Sequence, residues 1–191
     1  IGRLVGSEMC IRDRFIVAII TIRKKEWAPI TVPIYGVLQG IFLGIISNVF
    51  NAMYDGIVIT AISYTLCILF ALLSVYRLGI IKPTENFKLG LAAATGGIAI
   101  VYLANFIMSF FGSGIPLMDI NNSSMYSIGF SVFVIIIAAM NLVVDFDFIE
   151  EGAEKGAPKY MEWFGAFGLM VTLIWLYLEI LKLLAKMNSR K

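Results

Sequence analysis

Five carboxylates fall within ten residues of this chain: Asp145, Asp147, Glu150, Glu151 and Glu154. Carboxylates are hard oxygen ligands suited to Ca²⁺ or Mg²⁺, so Asp145 and Asp147 are candidate Ca²⁺ ligands. Crowding also makes carboxylates share protons, so the same run could sense pH or gate a path. Asn141 lies one helical turn before Asp145 and on the same helix face. The plain structural reading is a solvated acidic helix end, balanced by Lys155 and Lys159. Further along, Glu179 stands in an apolar run. It can face a helix bundle's interior, or pair with Lys182 three residues on and snorkel. Gln39, Asn48 and Asn105 also interrupt apolar stretches, where interhelical hydrogen bonding is their ordinary use.

The remaining residue types exclude most enzymatic chemistry. There is no His in the chain, which removes the usual general base, the neutral-pH switch and the commonest zinc ligand. Cys10 and Cys67 are the two cysteines, too few for a thiolate zinc site or a disulfide scaffold. No phosphate-cradling loop is present, nor a second intramembrane Asp on another helix for an aspartyl protease. The expected protein is not an enzyme and needs no cofactor, with Ca²⁺ as a possible bound or transported ion. The formal charge of +2 and the lack of a basic stripe with aromatics speak against nucleic acid as a partner.

These residues must be positioned by membrane-spanning helices. The chain is 60% hydrophobic over 191 residues, with a mean hydropathy of +0.89. Soluble domains hold roughly 45–50% apolar residues. A spanning helix needs about 20 mostly apolar residues, and five such segments are found, at 33–53, 56–76, 88–111, 126–146 and 161–184. Residues 15–22 read as the end of a further helix. Breakers separate the spans: Ala28-Pro29, Tyr54-Asp55-Gly56, Lys82-Pro83, Gly112 to Pro116, and Gly152 to Pro158. No Pro is expected within a span. Gly36, Gly40 and Gly44 form a small-residue ridge of the kind that admits a neighbouring helix. Trp27, Tyr160 and Trp163 fall where aromatic belts are expected.

Basic residues alternate along the connectors. Arg23, Lys24 and Lys25, then Arg77, Lys82 and Lys88, then Lys155 and Lys159 mark the cytoplasmic loops, whereas 51–56 and 112–125 carry none. The C-terminus departs from this order, because Lys182, Lys186, Arg190 and Lys191 come after or at the end of the last span. Either that tail is translocated or the last helix does not fully cross.

Residues 1–14, IGRLVGSEMCIRDR, differ abruptly in composition from the rest of the chain. LVGSEMCIRDR resembles the conceptual translation of a transposase adapter, so this stretch is expected to be non-native and is set aside from fold reasoning. The expected native part is one transmembrane domain over 15–191, truncated at its N-terminus.

The run NLVVDFDFIEEGAEKGAPKYMEWFGAFGLMVTLIWLYLEILKLLAKM resembles the C-terminal region of the Bax inhibitor-1 family, the transmembrane Bax inhibitor motif superfamily, and most closely a bacterial branch. RKKEWAPITVPIYGVLQGIFLG, YRLGIIKPTENFKLGLAAATG and YLANFIMSFFG extend the resemblance over 15–191. It implies an all-α, seven-helix bundle with the last helix surrounded by the others, here lacking the first helix and part of the second. It implies a multi-pass protein of the bacterial inner membrane. The family is linked to pH-dependent Ca²⁺ leak, in eukaryotes to protection against cell death, and in some bacterial members to regulation of a membrane protease. The leak is attributed to two Asp, on the sixth and seventh helices, that share a proton. Asp145 matches the first. The second has no counterpart: Thr172 falls near its place, and Glu179 lies seven residues on. Gln39 stands where the family tends to carry Glu. The resemblance thus supports two readings, a pH-sensitive Ca²⁺ leak channel gated at Asp145, or a non-transporting regulator that binds other membrane proteins.

Overall fold

The computed structural model describes residues 2–112, 115 and 124–189, with side chains from residue 13 onward except at 110. Arg190, Lys191, most of the Gly112–Pro116 breaker and the side chain of Cys10 lie outside the described residues. Within them are six α-helices: α1 Gly2–Arg23, α2 Ala28–Met53, α3 Ile57–Arg77, α4 Glu85–Phe110, α5 Met125–Glu154 and α6 Lys159–Asn188. A single 3-10 turn, Lys25–Trp27, joins α1 to α2. Five helical stretches, all but α1, are long and apolar enough to cross a membrane.

The helix ends obey local chemistry. Gly56, at φ +78°, starts α3, and its N–H donates to Asn51 Oδ1 at 3.3 Å, closing the α2–α3 turn in a conformation that favours glycine. Thr84 caps α4, accepting from the Phe87 N–H at 3.3 Å, and Ser124 caps α5 in the same way through Ser127 at 3.3 Å. Gly156, at φ +61°, ends α5, and the Ala157 N–H donates back to the Gly152 carbonyl at 2.9 Å. Pro158 then starts α6.

Among the five full spans, the start of α2 and the end of α5 differ most from the sequence expectation. α2 starts at Ala28, so Pro29 lies in its first turn and Pro33 lies inside it. Pro29 sits where helical N–H groups have no partner, whereas Pro33 omits one backbone bond early in the helix. α5 runs on to Glu154, so the acidic run continues a helix past the apolar stretch. Apolar length marks where a helix meets water, and polar residues can extend it beyond.

α6 is the axis of the bundle, packing against α2, α3 and α5. The main core joins Ile57 and Ala61 of α3, Ala138, Leu142 and Phe146 of α5, and Leu176, Tyr177, Ile180, Leu181 and Ala185 of α6. A second cluster sets Ala28, Val32 and Tyr35 of α2 on Phe167, with the Tyr35 and Phe167 rings edge to face at 5.0 Å. A third sets Leu91 and Ile98 of α4 on Val134 and Ile137 of α5. The outward faces stay apolar: Ile34, Val37 and Ile41 on α2, Ile59 and Phe70 on α3, and Ile100, Leu103 and Phe106 on α4 are all exposed. A surface this apolar belongs in lipid.

α6 also runs antiparallel to the whole of α5. Lys186, near its end, reaches Ser127 and Ser131 near the start of α5. The last helix therefore does span the bundle. Lys182 and Lys186 are engaged with side chains and carbonyls of the bundle instead of standing in a free loop, which is why they do not conform to the loop-charge pattern.

Candidate functional site

The acidic run is not one cluster. A helix turns about 100° per residue, so Asp145 leaves α5 on one side and the other four carboxylates lie within an arc of about 100° on the opposite side. Asp147 pairs with Lys88 of α4 at 2.6 Å, and Lys88 also reaches Glu85 at 3.2 Å. Glu150 accepts from the Tyr76 hydroxyl of α3. Glu151 pairs with Lys155 in the α5–α6 turn, and that bond raises the Lys155 pKa above its ordinary value. Glu154 is exposed. Asp145 and Asp147, named together as candidate Ca²⁺ ligands, thus leave α5 toward different helices, α6 and α4. Among the described residues no group of three or more metal-ligating side chains converges.

Asp145 points toward α6. Its Oδ2 is buried and has no hydrogen-bond partner among the described residues. Thr172 of α6 is its side-chain hydrogen-bond neighbour. The Thr172 hydroxyl also donates to the Gly168 carbonyl at 3.1 Å. One hydroxyl proton therefore faces two acceptors, and it can serve one at a time. Gly168 lies beside the carboxylate, and a Cβ there would make ordinary contact with Asp145 Oδ1 at 3.5 Å. One turn back, Asn141 donates to Thr95 of α4 at 2.8 Å and to the Ile137 carbonyl at 2.9 Å. It bridges helices beside the carboxylate and does not bond to it.

The same α5–α6 interface carries polar groups further along, seven residues apart on each helix. Thr172, Glu179 and Lys186 share a face of α6, and Asp145, Ala138 and Ser131 share the facing side of α5. Glu179 is 2% exposed. It accepts from the Tyr102 hydroxyl of α4 at 2.6 Å and from Lys182 at 3.1 Å. Glu179 faces the interior and does not snorkel; Lys182 instead reaches in to pair with it. Lys186, 3% exposed, donates to Ser131 Oγ at 2.9 Å. Tyr102, Ser131 and Lys186 were not anticipated. The seven-residue spacing from Thr172 through Glu179 marks Lys186, while nothing in the sequence ties Tyr102 to Glu179.

Gln39 is buried and accepts from Arg14 at 3.0 Å, and Arg14 lies 3.9 Å above the Phe42 ring. Asn105 accepts from the Ile115 N–H at 2.8 Å. Gly36 faces Met170 of α6, but a Cβ at Gly40 or Gly44 would meet nothing within 4 Å among the described residues. Two-thirds of the ridge is therefore open, and Asn48 is exposed beyond it. A concavity of about 770 Å³ lies at the α5–α6 turn, lined by Phe148, Glu151, Gly152, Lys155, Met161 and Glu162. It is wide because it opens to the surface, and it does not include Asp145.

An all-helical bundle with apolar outer faces and a polar seam inside defines a multi-pass membrane protein. The chain matches the family model described as Bax inhibitor 1 like over residues 3–189, and it belongs to that family. No curated protein matches it, and no solved structure does.

Proposed function

We propose that this protein is a pH-sensitive cation leak of a bacterial inner membrane, Ca²⁺ being the ion carried and Asp145 the gating group. The observation that carries the reading is the buried Oδ2 of Asp145, which lacks a partner among the described residues inside a membrane-spanning bundle. An ionisable group so placed is expensive and marks an ion or proton path by default. The chemistry of its neighbour fits a two-state gate. Protonated, Asp145 can donate to Thr172 while Thr172 keeps its bond to Gly168. Ionised, it competes with that carbonyl for the same hydroxyl proton. Thr172 thus takes the partner position that the family resemblance gives to a second Asp.

The test is Ca²⁺ flux into proteoliposomes from mildly acidic to mildly alkaline pH. Wild-type flux should vary with pH, and flux through Asp145→Asn should not. Wild-type flux equal to that of empty liposomes at every pH would end this reading.

The open faces of Gly40 and Gly44 favour a second reading, a non-transporting regulator that receives a helix of another membrane protein such as a protease. Under it Gly40→Leu weakens partner capture and flux is absent throughout. In neither reading does the chain catalyse a reaction.

A further inference from the structure

The polar groups of α6 beyond Asp145 form a second arrangement that the leak reading does not use. Glu179 is enclosed at the α4–α6 contact, with the Tyr102 hydroxyl 2.6 Å from its Oε1 and Lys182 Nζ 3.1 Å from the same oxygen. Lys182 Nζ also lies 4.8 Å from the centre of the Tyr102 ring. The ammonium is therefore held by a carboxylate oxygen and an aromatic face together, a combination that binds small cations. The Glu179 side chain is 3% exposed and that of Lys182 is 34% exposed. The carboxylate is built into the core, while the cation reaches in from the edge on a flexible stem. Glu179 and Lys182 sit three residues apart on one helix, so their pairing joins no two helices.

We propose that Glu179 and Tyr102 form an intramembrane binding site for a monovalent inorganic cation, which the Lys182 ammonium occupies as a tethered surrogate. A single buried carboxylate is neutralised by a single positive charge. A divalent ion would leave excess charge in the low-dielectric core, where charge is costly. A stem long enough to fill the site from its edge also leaves it open when that stem is shortened. This assignment goes beyond the leak reading and concerns binding, so it is tested without flux.

The experiment measures Tm of the full chain in detergent as KCl or NaCl replaces N-methyl-D-glucamine chloride at constant ionic strength. Lys182→Met should gain a saturable rise of several degrees with K⁺ or Na⁺, as expected of a ligand that binds the folded state. Wild type, Lys182→Arg and the double variant Glu179→Gln with Lys182→Met should show none, because the site is either filled or without its charge. A folded Lys182→Met that gains nothing overturns the proposal, and so does an equal rise in the double variant. Should Lys182→Met fail to fold, Lys182→Gln is put through the same comparison with the same two outcomes.

Discussion

Asp145 and Asn141 stand one turn apart on α5 and do different work. Asp145 has a buried oxygen with no partner among the described residues, whereas Asn141 is engaged with Thr95 and the Ile137 carbonyl. Interhelical hydrogen bonds in membranes are worth about 0.6–2 kcal/mol. Asn141→Leu should therefore lower thermal stability by that order and leave the pH profile of any flux in place, which paired unfolding and flux measurements would show. Asp145→Asn should do the reverse. It keeps the shape, removes the charge and changes the profile more than the stability. Asp147 belongs to a third kind. Its contact with Lys88 is partly exposed, so Asp147→Asn should cost at most about 1 kcal/mol, and less as salt is raised. A loss that does not shrink with salt would show that this pair is shielded.

At the scale of elements, α5 and α6 form the antiparallel hairpin on which most of the polar seam is mounted. They approach closely at Gly165, where an added Cβ would come within 2.9 Å of Ile149 Cγ1. That atom is next to the branch point and cannot swing away freely. Gly165→Ala should destabilise the hairpin by about 1–3 kcal/mol, whereas Gly40→Ala, with nothing within 4 Å, should be close to neutral. Equal effects in a denaturation series would contradict this packing. The spans themselves were legible in the sequence, since apolar length and Gly or Pro breakers respond to the bilayer alone. The α2 start and the α5 end were not, because Pro in a first turn and Glu in an exposed last turn are compatible with helix. The site was legible in part. Asp145 and Glu179 could be named from the order of residues alone, and Thr172 only through the family resemblance. Tyr102 could not, since it meets Glu179 across a gap of 77 residues that only packing closes. The acidic run misled as one cluster because Asp145 leaves the helix opposite the other four carboxylates.

For the whole molecule, the apolar exterior and the bundle around α6 set what a reagent can reach. Cys67 is a free, exposed thiol near the middle of α3. In a Cys10→Ser background it should react with uncharged thiol reagents in detergent and resist charged ones in a bilayer, as mass spectrometry of the labelled protein would report. Because α6 spans the bundle, cysteines placed at Lys155 and at Ser189 should be labelled from opposite sides of the membrane. Labelling of both from one side would refute the full crossing of α6.

The short Lys155–Pro158 link between two 30-residue helices also bears on how the protein is made. α6 carries Glu179, Lys182 and Lys186, and a lysine costs up to about 2.5–3.5 kcal/mol when a lone helix passes from the translocon into lipid. Ser131 and the Ser127 carbonyl of α5 supply part of the solvation that α6 then lacks, and Tyr102 of α4 supplies more. The last helix is thus a poor membrane segment by itself and a good one in company. Its lateral release should wait until α4 and α5 are beside the exit, so that the chain enters the bilayer with its final charges already sheltered.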